Sequence, residues 1–262
     1  MKKTILLTGA TDGIGYETAK MLVEQGHQVL LHGRNPDKLE QVTDELSAQG
    51  EVESYLADLS DLGAVQKLAD AVSEKHQQLD VLINNAGVLK TPNPITPGGL
   101  DVRFVVNTIA PYLLTMRILP LFELSGRIVN LSSAAQSSVD LNAMTGSVQL
   151  TDMAAYSQSK LAITMWSRHL ALAHPEGPVI VAVNPASMLG SKMVKEGFGV
   201  AGGDLRIGAE ILVRAALSDE FTAASGKYYD NDSKCFTSPH PDALNKAKCE
   251  EVVHCIESLL KV

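Results

Sequence analysis

Tyr156 and Lys160 stand four residues apart in a stretch of helical pattern. That spacing sets a phenol and an ammonium on one helical face. An isolated phenol ionises near ~10, too high for proton exchange at neutral pH, and a neighbouring positive charge lowers that value by favouring the phenolate. The pair can therefore give and take a proton; alone, it reads equally as the polar side of an amphipathic helix. Near the start of the chain, Thr8-Gly9-Ala10-Thr11-Asp12-Gly13-Ile14-Gly15 follows a short apolar run and precedes a helical one. Gly9, Gly13 and Gly15 there let backbone amides approach a pyrophosphate at the positive end of a helix. The spacing is G-x-x-x-G-x-G, and such a turn also serves plain strand-to-helix packing. Taken together, the two motifs describe acid–base chemistry beside a bound dinucleotide.

The end of the second apolar run refines that ligand. An acidic residue there would bind the free ribose hydroxyls of NAD. The sequence is instead Leu31-His32-Gly33-Arg34-Asn35, with Gly33 where the carboxylate would stand. A guanidinium suits a ribose 2′-phosphate in geometry and charge, so Arg34 favours NADP (NADPH); the alternative is a solvated arginine in a turn. His32 reads as a solvated neighbour of that site. Asp58-Leu59 follow the third run, where Asp58 can accept a hydrogen bond from adenine. Asn84-Asn85-Ala86-Gly87 close the fourth, and by themselves both asparagines read as turn formers.

These residues need a scaffold that brings loop ends together. Short β-branched or leucine-rich runs over 4–8, 28–32, 51–56, 81–84, 127–131, 179–184 and 227–230 alternate with helical patterns over 14–25, 36–48, 61–77, 99–122, 153–174, 204–217 and 242–260. Several runs are apolar throughout, which suits a parallel sheet covered on both faces. The alternation predicts one α/β domain over 1–262, a doubly wound Rossmann sheet of about seven mainly parallel strands. Two segments break the pattern: 134–152, polar and aperiodic, and 186–203, rich in glycine. Both follow strands at their carboxyl ends, and 186–203 reads as a mobile lid over a substrate. A net charge of −8 argues against nucleic acid or an acidic membrane as partner. No run approaches the ~20 apolar residues of a membrane span. Cys235, Cys249 and Cys255 lack metal or disulfide spacing, so the expected setting is cytoplasmic and no metal is expected.

At this point the residues converge on a family. The chain resembles the classical short-chain dehydrogenases/reductases over essentially its whole length, through Thr8-Gly-x-x-x-Gly-Ile-Gly15, Asn84-Asn-Ala-Gly87, Asn107, Ser133 and Tyr156-Ser-Gln-Ser-Lys160 in that order. Val106-Asn107, Leu114-Thr115, Asn130-Leu-Ser-Ser133, a stretched interval from Ser133 to Tyr156, and Ser225-Gly-Lys-Tyr-Tyr229 are most similar to its retinol-dehydrogenase-like branch. The resemblance implies hydride transfer between nicotinamide and an aldehyde or ketone, or the corresponding alcohol. Tyr156 would be the acid/base. Lys160 would hold the nicotinamide ribose and bias Tyr156 toward phenolate. Ser133 would position the substrate oxygen, with Ser132 in its place if the register slips by one. Asn107 would interrupt its helix and hold a water leading from Lys160.

Cofactor contacts would come from Gly9, Thr11, Asp12, Gly13, Ile14, Gly15, Arg34, Asp58, Leu59, Asn85, Ala86, Gly87, Tyr156, Lys160, Pro185 and Ser191. The chain departs from the family pattern after the sixth strand: Pro185 is followed by Ala186 in place of glycine, and Gly190 stands where a hydroxyl is usual, with Ser191 just beyond. A homodimer or homotetramer built on 99–122 and 153–174 is also implied. The rival readings are an NAD-dependent alcohol dehydrogenase and a dinucleotide-binding redox sensor without chemistry. Reduction is the expected direction, since Arg34 points to NADPH.

Overall fold

Strands that are apolar on both faces can be buried only if helices cover both sides of their sheet. The computed structural model describes residues 1–261 of the chain. Its strands are β1 (Thr4–Leu7), β2 (Gln28–Gly33), β3 (Val52–Leu56), β4 (Leu79–Asn84), β5 (Phe122–Leu131), β6 (Val179–Asn184), β7 (Tyr228–Asp230) and β8 (Cys235–Thr237). They form one sheet in the order β3-β2-β1-β4-β5-β6-β7-β8, parallel except for β8, which returns antiparallel along β7. The expected doubly wound sheet is present. β8 is an addition, three residues long and too short to show a periodicity. Successive residues of β1 serve opposite faces: Ile5 and Leu7 pack with one core cluster, Leu6 with the other. The strand order reverses between β1 and β4, so a crevice opens at their carboxyl ends.

The helices are α1 (Gly13–Glu24), α2 (Pro36–Ser47), α3 (Leu62–Lys75), α4 (Val102–Phe104), α5 (Ala110–Ile118), α6 (Leu141–Met144), α7 (Asp152–Ala173), α8 (Lys192–Phe198), α9 (Leu205–Leu217), α10 (Pro241–Leu244) and α11 (Lys246–Leu260). The single helix expected over 99–122 is broken. It begins only at Val102, capped by Asp101, and a π turn over Val105–Ile109 separates α4 from α5. Val102–Leu121 is long and apolar enough to cross a membrane by length and composition, with mean hydropathy 1.4, which the sequence reading passed over. Here it is a core helix, 72% buried.

Residues 101–115 and 159–167 are buried without a break, so these stretches of α4–α5 and α7 have no free face. Their outer cover comes from α3, which packs on α5, and from α11, which packs along α7. The Tyr112 hydroxyl donates to Glu257 (2.9 Å), and the Tyr112 ring meets Trp166 edge-on at 5.7 Å. Within this chain α5 packs on α3 and α7 on α11, while Met116, Met153 and Leu172 stay exposed. Trp166 and Met165 belong to the core, 0% and 2% exposed.

Both irregular segments contain short helices, α6 in 134–152 and α8 in 186–203. The second stands on a pinched neck. Gly190 N–H donates to Gly203 O (2.7 Å) and Gly203 N–H to Met188 O (2.8 Å). A Cβ at position 190 would lie 2.8 Å from Gly203 O, so no side chain fits there. That explains the missing hydroxyl: position 190 is given to the neck. Ahead of the neck, Ala186 adopts φ +113°, backbone that favours glycine.

Candidate active site

The carboxyl ends of the strands converge on a cavity of 340 Å³. The turn after β1 contributes Gly9, Thr11, Asp12, Gly13, Ile14 and Gly15; β2 ends in Gly33 and Arg34 at its wall; Asp58 and Leu59 follow β3. Asn85, Ala86 and Gly87 come after β4, Tyr156 and Lys160 from α7, and Pro185 and Ser191 from the segment after β6. Every residue expected to touch the cofactor lines this one cavity. Asp12 caps α1 through Gly13 N–H (2.8 Å), and its other oxygen pairs with Lys38 (2.8 Å), which holds its carboxyl below the usual range. Asn85 is more than a turn former. Its amide donates to Thr8 O (2.8 Å) and Gly9 O (3.0 Å), tying β4 to the glycine-rich turn. Asn84 points inward to Asn130 (2.8 Å) and Thr115 (3.2 Å).

The cradle fits a dinucleotide with a 2′-phosphate. At Gly33 a Cβ would sit 2.6 Å from the Thr11 methyl, so an acid where NAD would need one would have to displace Thr11. Arg34 is exposed at the cavity wall, and among the described residues it makes no salt bridge, its neighbour Lys38 being paired with Asp12.

The chemistry centres on α7. Thr151 caps this helix, and Asp152 pairs with the buried Arg103. The Ser133 hydroxyl accepts from Ala135 N–H (3.1 Å) and stands near enough to the Tyr156 phenol to act on its titration. Ser132 lines the cavity, but its hydroxyl is engaged by Lys160 O (3.0 Å) and Thr164 (2.6 Å). Burial raises the Tyr156 phenol above its ordinary value, and Ser133 pulls it partly back. This differs from the expected lowering by Lys160. The ammonium lies 5.8 Å from the centre of the phenol ring, donates to Leu131 O (2.8 Å), and is itself brought down by burial to about 8. Asn107 lies in the π turn, as its helix-breaking role requires. Its amide clamps residue 88 from both sides, with Val88 N–H at 2.8 Å and Val88 O at 2.9 Å, and donates to Ser159 (3.0 Å).

Known proteins bear on this arrangement. A family model described as short chain dehydrogenase matches residues 3–198. The chain belongs to the short chain dehydrogenase family. It is therefore an oxidoreductase acting on carbonyl or alcohol groups. It is 30% identical to retinol dehydrogenase 13 of Homo sapiens over 92% of this chain and 79% of that protein. Among solved structures, an uncharacterized protein from Mycobacterium paratuberculosis superimposes with a TM-score of 0.83 at 26% identity, covering 99% of this chain and 94% of that one. The Pseudomonas aeruginosa RhlG/NADP active-site complex has the same fold, with a TM-score of 0.71 at 24% identity over 87% and 94% of the two chains.

Several residues of this dehydrogenase's site were not found in the sequence. Arg103 is 1% exposed; it chelates Asp101, reaches Leu89 O (3.3 Å) and holds Asp152, so it joins the cavity wall to the start of α7. Gln136 (2.9 Å) and Tyr228 (3.1 Å) both donate to Ser133 O and fix the serine's turn. Tyr228 meets its partner 95 residues away, Arg103 reaches Asp152 49 residues on, and Gln136 accepts from His240 N–H 104 residues on, which no local pattern marks. Val88, Leu89, Val106 and Met193 add apolar wall near Tyr156. His32, read as solvated, is 2% exposed.

Proposed function

We propose that this dehydrogenase is an NADPH-dependent reductase of apolar aldehydes or ketones, of the retinol-dehydrogenase-like branch. The observation that carries the reading is that Tyr156 and Lys160 share one cavity with Arg34, at whose wall a side chain on Gly33 would press on Thr11. The resemblance to retinol dehydrogenase 13 supports the apolar substrate, as do Val88, Leu89, Val106 and Met193. The NADP in the RhlG complex, a protein of the same fold, supports the cofactor.

The glycine-rich turn and the α1 N-terminus would hold the pyrophosphate, Arg34 the 2′-phosphate, Asp58 and Leu59 the adenine, and Lys160, Pro185 and Ser191 the nicotinamide end. The bound dinucleotide supplies the hydride. Tyr156, its phenol raised by burial, keeps its proton until a substrate oxygen becomes basic enough to take it. Ser133 directs that oxygen toward the phenol. Lys160, which titrates near 8, is mainly charged at neutral pH and stabilises the phenolate left behind. Asn107 holds residue 88 at the cavity wall and would keep a water beside Lys160. The apolar wall keeps bulk water from the reacting carbonyl.

Titration with NADPH and with NADH, followed by cofactor fluorescence, tests the reading. Tight NADPH and weak NADH binding is expected; the reverse preference would make it an NAD-dependent alcohol dehydrogenase. Binding without turnover of any carbonyl would favour a redox sensor. The unpaired cysteines fit a cytoplasmic setting. A homodimer or homotetramer would use the parts of α5 and α7 that stay exposed, around Met116, Met153 and Leu172, and sedimentation shows whether one forms.

A further inference from the structure

His32 takes no part in the proton transfer, yet it stands where three cofactor-contacting segments meet. It lies on β2 directly ahead of Gly33 and Arg34. Its Nδ1 accepts from Gly9 N–H (3.2 Å) in the glycine-rich turn. Its Nε2 reaches Ala57 O (3.0 Å), one residue ahead of Asp58. Its carbonyl accepts from Ala10 N–H (2.9 Å). The ring is 2% exposed but lines the cavity. One form satisfies both ring contacts at once, the neutral imidazole with its hydrogen on Nε2. Burial keeps the ring neutral, titrating at about 4.

We propose that His32 is a positioning residue for the adenosine half of the cofactor, its imidazole fixing the glycine-rich turn, Arg34 and Asp58 as one frame for pyrophosphate, 2′-phosphate and adenine. The inference rests on the NADP reading above. An apolar side chain of similar size would fill the space and leave Gly9 N–H and Ala57 C=O without these partners. An unpaired buried group costs more than a good hydrogen bond gains, so the two turns would shift to find new ones. A glutamine amide carries one acceptor and one donor and can serve both.

The test compares His32→Leu and His32→Gln in the full chain, using NADPH and adenosine 2′,5′-bisphosphate as probes. The bisphosphate carries the adenosine, the 2′-phosphate and one phosphate of the pyrophosphate, without nicotinamide. His32→Leu should weaken both probes by the same factor, roughly 10- to 100-fold for two lost positioning bonds. At saturating NADPH, kcat and the carbonyl KM should stay within about twofold, because Tyr156, Ser133 and Lys160 are untouched. His32→Gln should recover most of the binding. Unchanged bisphosphate affinity in a folded His32→Leu variant overturns the inference, as does a fall in kcat with binding unchanged. Should His32→Leu not fold, hydrogen exchange of the wild type decides. The amides of Gly9, Ala10 and Ser60 should gain protection together on bisphosphate binding, and protection of one turn without the other overturns the frame. Wild-type protein that binds neither probe would refute the NADP reading itself, and the inference with it.

Discussion

Replacing Ala186 by glycine should make this protein more stable, although glycine usually has the opposite effect. Ala186 holds φ +113°, and a side chain in such backbone costs roughly 1–3 kcal/mol. The turn is held by its neighbours. Asp232 accepts from Ser187 N–H (2.8 Å), Ser187 Oγ (2.6 Å) and Asn184 Nδ2 (2.9 Å), and Asn231 donates to Pro185 O (3.0 Å). Bonds to a charged group contribute roughly 1.5–3 kcal/mol each, enough to keep the strained turn in place. Ala186→Gly removes the strain and adds roughly 0.5–1 kcal/mol of unfolded-state entropy cost. The expected net gain is about 1 kcal/mol. Urea unfolding, followed by the fluorescence of the single tryptophan, Trp166, reads it directly. The midpoint should rise with an unchanged slope. In an Asp232→Ala background the turn can relax, so the same substitution should gain clearly less, a coupling that a double-mutant cycle isolates. A glycine variant no more stable than wild type would refute the strain argument, and equal gains in both backgrounds would refute the role of Asp232.

Tyr156→Phe should lower kcat by at least ~10²-fold while retaining NADPH binding; substantial residual turnover would remove Tyr156 from the acid's role. Arg103→Met leaves Asp101, 6% exposed, buried without its cation, and should cost about 3–5 kcal/mol in urea unfolding. A loss below 1 kcal/mol would show that water reaches the pair. His32 titrates at about 4 in the folded protein against 6.5 ordinarily. Between those values the unfolded chain takes up a proton that the folded one refuses. Its contribution is therefore complete above pH 6.5 and is lost as the pH falls toward 4, by about 3 kcal/mol. The stability difference between wild type and His32→Gln should change across that window; a difference independent of pH would mean the ring is solvated.

The sheet was legible because several of its strands are apolar throughout and bounded by polar turns, and the cavity because its glycines, Arg34 and Ser133 follow such runs while Tyr156 and Lys160 share a helical spacing. What could not be read depended on distant partners. His32 looks like any polar residue at a strand end until the Gly9 and Ala57 groups that enclose it are known. The break ahead of Val102 was hidden because residues 99–101 carry no proline, and the π turn because apolar periodicity does not distinguish it from α-helix. Gly190 looked like a lost hydroxyl, whereas its reason is Gly203, across the neck.

The cover that α11 gives α7 also orders events in time. Tyr112 and Glu257 are 145 residues apart, and closing so long a loop is slow compared with forming the local β-α-β units. The nucleotide-binding half can assemble early from contacts near in sequence. The helix carrying Tyr156 and Lys160 acquires its last wall only when α11 docks. A growing chain would then be able to grip a dinucleotide well before it can use one, and a protease cut within α11 would separate the two abilities again.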